Sequence, residues 1–360
     1  MSIQFLGMIG HRLASETIAP AGPILDKQYI AAFARAHEEA GFDRILVGYW
    51  SDQPDGFLVA ATAGLATSRI NFLLAHRPGF VAPTLAARKL ATLEHLLDGR
   101  LAVHIISGGS DADQRKDGDY LDHDQRYARS DEFIEVLKRT WTSAEPFDFH
   151  GEHYRVEQAF SAIRPQQKPH IPVYFGGSSE AALKVAGRQA DVFMLWGEPL
   201  AQAAETIAAV REQARQNGRE VEFSLSFRPI LGRTEEEAWA RAEAIRVTAS
   251  QRLGEAGFPK GKPQSVGAQR LLKAVEQGDR VDERLWTGIA KLVGGGHNST
   301  ALVGTPEQVA DALLAYYELG VRSILIRGFD PLNDAVEYGR ELIPLTRAKV
   351  AERERRRATA

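Results

Sequence analysis

Short apolar runs alternate along this chain with longer segments whose apolar residues recur every three or four positions, and the alternation persists for most of its length. The runs at 4–9, 44–48, 70–75, 101–106, 173–175, 192–195, 222–230 and 323–326 read as strands. Between them the helical period predicts helices near 26–40, 81–97, 125–142, 179–188, 200–217, 234–249 and 306–319, with a last one over 332–351. A continuously apolar strand is covered on both faces, and strands separated by helices pair in parallel. About eight such units predict an α/β fold of the (β/α)8 type, a TIM barrel, in preference to an open doubly wound sheet.

Two segments break the alternation. Between 145 and 165, Phe147-Asp148-Phe149-His150 and Tyr154-Arg155-Val156 lie on either side of Gly151, which predicts a hairpin insertion. From 250 to 299, Gly254, Gly257, Gly261, Gly267, Gly278 and Gly294-Gly295-Gly296 interrupt any sustained period. In a barrel, so long a stretch before the last strand predicts a mobile lid over the mouth. A linker between two domains fits less well, because the 60 residues after Thr300 are too few for an independent α/β domain. The expectation is one domain over 1–360 with two insertions.

Composition narrows function more than fold. Hydrophobic residues at 44% and charged ones at 25% are ordinary for a globular protein in water. The absence of cysteine removes disulfides, thiolate catalysis and cysteine-ligated metals, and no metal site is expected. A formal charge of −3 offers no basic face to nucleic acid or anionic lipid. Met1-Ser2-Ile3-Gln4-Phe5 lacks the basic segment and apolar core of a signal peptide, and no window approaches a membrane span. A cytoplasmic enzyme acting on a small molecule is the class these features leave.

In a barrel, chemistry collects at the carboxyl ends of the strands. Those ends read Gly10-His11, Tyr49-Trp50-Ser51-Asp52, His76-Arg77-Pro78-Gly79, Ser107-Gly108-Gly109, Gly176-Gly177-Ser178-Ser179, Trp196-Gly197-Glu198, Arg228 and Arg327-Gly328-Phe329. Rings, imidazoles and glycine pairs at so many of them point to a large planar ligand with an anionic end. Its anion belongs at Val173-Tyr174-Phe175-Gly176-Gly177-Ser178-Ser179-Glu180, a strand, a tight turn and a helix start. Glycines there let a ligand approach the backbone, and the first helical N–H groups lack partners within the helix. With the helix dipole, this makes a seat for a phosphate. The same residues read equally as a plain turn in which Ser179 caps the helix.

The ordered set His76-Arg77-Pro78, Ser107-Gly108-Gly109, Asp122-His123 with Tyr127, Tyr174 to Ser179, Trp196-Gly197-Glu198-Pro199 and Thr300-Ala301-Leu302-Val303-Gly304 resembles the FMN-dependent alkanesulfonate monooxygenases. These belong to the bacterial luciferase-like flavin enzymes, and the similarity runs from about residue 5 to 345. The resemblance implies a barrel that receives FMN as FMNH2 from a separate NAD(P)H-dependent flavin reductase. It further implies that O2 is used through a C4a-peroxyflavin to oxygenate a small organosulfur or other anionic compound. With a sulfonate, C–S cleavage would give sulfite and an aldehyde. A homo-oligomer, dimer or tetramer, is also implied.

By position, Tyr127 with Gly176, Gly177, Ser178 and Ser179 matches the phosphate end of FMN. His76, Ser107, Gly108 and His123 match the ring and ribityl chain, and Trp196 lies beside the isoalloxazine and the substrate. Without the resemblance, His123 reads as a capping histidine, Trp196 as a core aromatic and Arg228 as an ion-pair partner inside the barrel mouth.

The sequence departs from the family on the substrate side. Sulfonate enzymes carry an Arg-x-His pair on the seventh strand where this chain has Ser226-Phe227-Arg228. Gly294 replaces a lid arginine, Phe329 a tyrosine and Gln53 a cysteine, while His11 is retained. The substrate-side candidates are therefore His11, Gln53, Arg228, His297, Arg327 and Phe329, with His11, Trp196 and Arg228 as catalytic candidates. A guanidinium binds sulfonate or carboxylate in a fork, which keeps an anionic substrate in view. Two other readings share the fold: an F420-dependent hydride-transfer oxidoreductase and a non-catalytic flavin-binding barrel.

Overall fold

The computed structural model describes residues 2–256, 261–296 and 298–358. In chain order its strands are β1 (Gln4–Ile9), β2 (Arg44–Val47), β3 (Asn71–His76), β4 (Leu101–Ile105), β5 (Phe147–His150), β6 (Arg155–Ala159) and β7 (Val173–Gly176). There follow β8 (Val192–Trp196), β9 (Glu222–Phe227), β10 (Ile230–Leu231), β11 (Arg280–Val281), β12 (Leu285–Trp286), β13 (Ala301–Gly304) and β14 (Val321–Ile326). Eight of them close a parallel barrel in the order β1-β14-β9-β8-β7-β4-β3-β2. With the intervening helices this is the (β/α)8 barrel that the alternation of apolar runs predicts.

The run read as one strand over 222–230 is divided. Pro229 has no N–H to donate, so β9 stops at Phe227 and the chain continues as β10 in a separate four-stranded sheet, β10-β13-β12-β11. The chain forms two compact units, one of residues 1–45, 194–208 and 222–360, the other of 46–193 and 209–221.

In the second of these units β3, β4 and β7 run in register through Ala75, His104 and Tyr174. The helix His123–Thr142 starts at a capping box of Asp122 and Gln125 and buries Tyr127, Ser130, Ile134, Leu137 and Trp141, one face at helical spacing. β5 and β6 pair as a hairpin. Glu132 fastens it to that helix, its carboxylate accepting from the backbone N–H groups of Glu152, His153 and Tyr154 at 2.8–3.0 Å. A helix at Gly56–Leu65 was not foreseen: its sequence, GFLVAATAGL, has no charged residue and therefore no amphipathic signal.

In the other unit, β1, β14 and β9 align Gln4 with Ser323 and Ser224, and Leu6 with Leu325 and Ser226. The segment 250–299, expected as a lid, is not a bare loop over its described residues. It contains the end of the helix Glu235–Ala256, then Val266–Val275, β11, β12 and Gly288–Leu292. Trp286 and Ile289 pack with Ile230, Ala301, Val303 and Phe329 in one apolar cluster. Arg270 of the helix Val266–Val275 forks onto the buried Glu198 carboxylate with two 2.7 Å hydrogen bonds. The terminal helix expected over 332–351 resolves into Pro331–Glu337, a π turn at Tyr338–Leu342 and Ile343–Ala358. At that turn Gly339 meets Ala40 so closely that a Cβ could not be placed.

Candidate functional site

One helix collects most of the cofactor-side candidates. Along His123–Thr142, Tyr127 reaches the turn after β7, Ser130 reaches Ser107 after β4, and Phe133 reaches His76 at the end of β3. The turn Gly176 to Ser179 is half-buried and opens the ten-residue helix Glu180–Gln189. Gly177 has φ 143°, and a Cβ there would come within 2.5 Å of the Tyr127 hydroxyl and 2.7 Å of the Ala182 Cβ. Only glycine satisfies both demands.

Ser179 caps the helix, its hydroxyl accepting from the Ala182 N–H at 3.2 Å. Capping and an anion seat are compatible here, since the cap consumes one of the orphan N–H groups of the helix start. Burial raises the Tyr127 pKa, so its hydroxyl keeps its proton and can donate. A phosphate ester fits this corner. The acidic Glu180 does not compete for it, because it is exposed and paired with Lys184 at 2.7 Å. His123 occupies the first helical position but is not the cap, which is Asp122. Its ring lies 4.9 Å from Tyr127, and Nδ1 meets Asp124 at 2.6 Å.

Deeper in the same unit, His76 is enclosed between Phe57 and Phe133, with ring centroids at 5.8 and 5.3 Å. Burial pushes its pKa down to about 4, so the imidazole is neutral, and its Nε2 has no hydrogen-bond partner among the described residues. Ser107 shares a 2.8 Å hydrogen bond with Ser130. Gly108 adopts φ 88°, and the space a side chain would need there is taken by Gln114, which donates to the Ser107 carbonyl at 3.3 Å. Gln114 is wholly buried and sequence reasoning gave no sign of it. Gln53 is exposed and donates to Asp52 at 3.0 Å.

The other unit assembles a second cluster. Arg228, following β9, has no exposed surface. Its Nη2 donates to Glu16 at 2.8 Å and to the Gly328 carbonyl at 2.9 Å, while Nη1 lies 2.8 Å from the other Glu16 oxygen. The guanidinium stacks 3.5 Å from the centroid of Phe329. Arg228, expected as a free cation facing substrate, is thus an enclosed ion-pair partner, the alternative reading of that residue. Arg327 joins through a 2.8 Å bond to Glu16 and stays 27% exposed.

Glu16 lies in the irregular chain between β1 and the helix Lys27–Glu39, where periodicity carries no signal. His11 is half-buried, and burial followed by Arg12 lowers its pKa. Trp196 is half-buried at the end of β8. His297 lies outside the described residues. Among the described residues no three histidines, aspartates or glutamates come together as a metal site, and no helix is long and apolar enough to cross a membrane.

A closed parallel barrel with a glycine turn at a helix start offers a place where the phosphate of a ligand can be seated. The chain belongs to the luciferase-like monooxygenase family, whose model matches residues 3–323. Solved structures of similar fold include the EDTA monooxygenase of Chelativorans sp. BNC1, at 18% identity, TM-score 0.78 and coverage of 97% of this chain and 94% of that one. A riboflavin lyase with modified FMN and riboflavin has 19% identity, TM-score 0.76 and coverage of 97% and 92%. An F420-dependent secondary alcohol dehydrogenase with an F420-acetone adduct has 16% identity, TM-score 0.69 and coverage of 96% and 99%.

Proposed function

We propose that this luciferase-like enzyme is an FMN-dependent monooxygenase of the two-component kind. It takes FMNH2 from a separate NAD(P)H-dependent reductase and uses O2 to oxygenate a small organosulfur compound, such as an alkanesulfonate, or another small anion. The observation that carries the reading is the Gly177 corner, where backbone N–H groups, a protonated Tyr127 and room for no side chain coincide. Membership of the luciferase-like monooxygenase family supports that reading of the corner.

In this reading the turn Gly177 to Ser179 and the Tyr127 hydroxyl hold the phosphate, and His76 lies along the same side of the cofactor. When bound, the reduced flavin supplies the oxygen-transfer chemistry. The chain's own residues bind and orient. His76, neutral and deeply buried, shapes its surroundings without exchanging a proton near neutral pH. His11, with its lowered pKa, is the proton acceptor on the substrate side. Arg327 is the guanidinium with exposed surface left to meet an anionic group.

The F420 reading is supported by the fold shared with F420-dependent enzymes such as the alcohol dehydrogenase. Titration of the protein with FMN, FMNH2 and F420, followed through tryptophan fluorescence, separates the two. Saturable quenching by the flavin is expected, and Gly177→Val should weaken it by roughly tenfold or more, about 1.4 kcal/mol. Preference for F420, or unchanged flavin affinity in the variant, refutes the assignment. A reductase-coupled assay over sulfonates, sulfones and carboxylates, scored by oxygen uptake and sulfite, then names the substrate.

A further inference from the structure

Glu16 is built into its place. Its neighbours Ser15 and Thr17 both donate side-chain hydroxyls to the Phe329 carbonyl, at 2.6 and 2.9 Å. The Ser15 hydroxyl also accepts the backbone N–H groups of Thr17 and Ile18, each at 3.1 Å, which closes a local turn around Glu16. Arg252 donates to the Ser15 carbonyl at 2.8 Å. Held from both sides, the carboxylate delivers one oxygen to Arg228 and shares the other between Arg228 and Arg327.

The charges can be added up. Two guanidiniums and one carboxylate leave a single positive charge. Arg228 is closed over by Glu16, Gly328 and Phe329, so the surplus rests with Arg327, whose side chain keeps 27% of its surface exposed. Burial, and after it the neighbouring Arg228 charge, lowers the Arg327 pKa to about 10, and it remains charged at neutral pH.

We propose that Glu16 determines substrate specificity by charge. It is an internal carboxylate in the place an acidic substrate would otherwise take between the two arginines. The enzyme therefore accepts small organosulfur compounds with one negative charge and rejects those with two. The inference rests on the proposed oxygenation of small anions and specifies which anions they are. A monoanion beside Arg327 brings the cluster to neutrality. A dianion leaves an uncompensated charge in a partly buried site, which costs affinity.

The test compares propane-1-sulfonate, a monoanion, with sulfoacetate, a dianion of similar size, by calorimetric Kd on the full chain with FMN present. The wild type should bind the monoanion about tenfold more tightly. Glu16→Gln keeps the side-chain shape and raises the cluster charge by one, so it should tighten sulfoacetate well beyond tenfold, on the order of a hundredfold, and reverse the order. Glu16→Asp should keep the wild-type order. If Glu16→Gln does not fold, Arg327→Met with Glu16 intact removes the surplus charge and should weaken the monoanion about tenfold.

Equal affinity of the wild type for both probes overturns the charge rule alone. So does an unchanged order in Glu16→Gln, or undiminished monoanion binding by Arg327→Met. Binding of neither probe by any of these proteins, with FMN bound normally, overturns the small-anion reading as well.

Discussion

On β9 and just beyond it, Ser224, Ser226 and Arg228 occupy alternate positions, and sequence alone marks Arg228 as a charge awaiting a partner. The partner, Glu16, is 212 residues away along the chain, and no spacing rule links the two. Gln114 against Gly108 was illegible for the same reason; the Gly177 turn was legible because a strand, a glycine pair and a helix start are local signals, while Tyr127 was named only through the family resemblance. Removing one member of the Arg228 pair tests how tightly the group is bound together. Arg228→Met should destabilise the protein by about 3 kcal/mol in urea unfolding, because it strips a half-buried carboxylate of its most enclosed counter-ion. Adding Glu16→Gln to that background should recover more than about 1 kcal/mol. Additive losses would mean that the two side chains do not act as a unit.

Among elements, the barrel strands were readable because each is a short apolar run bounded by turn residues, and their observed limits differ from the expected ones by at most two residues except at the end of β9, which stops three residues early. The helices of 250–299 were not readable: glycines break up the pattern, and their apolar residues meet partners supplied by β10 and β13. Beside that apolar cluster, a specific ion pair holds the segment. Glu198 is buried, its carboxylate accepts two of the hydrogen bonds of Arg270, and its carbonyl accepts from the Tyr316 hydroxyl at 2.9 Å. Arg270→Met should therefore cost about 2–4 kcal/mol. Hydrogen exchange over Val266–Val275 should accelerate before the barrel strands lose protection. If exchange there is unaffected, the pair does not tether the helix. Faster exchange with more hydrogen peroxide released per turnover would support a lid role for the segment.

For the molecule as a whole, the buried imidazoles set a dependence on pH. Burial lowers His37, His76 and His104 from the ordinary 6.5 to about 4. All three are neutral when folded, and unfolding between those values takes up protons. Their contribution to stability is fully present above about pH 6.5 and is lost as pH falls toward 4. The melting temperature should fall through that window, and His104→Leu should flatten the slope. A slope unchanged by the substitution would place the titrating groups elsewhere.

The hold of Glu132 on three successive amides of the hairpin has a mechanical consequence. Tyr127 stands about one and a half turns earlier on the same helix, so a rigid rod joins the hairpin to the corner where Gly177 turns. Altering the hairpin's sequence would tilt that rod and retune the grip on a ligand that the hairpin need never touch.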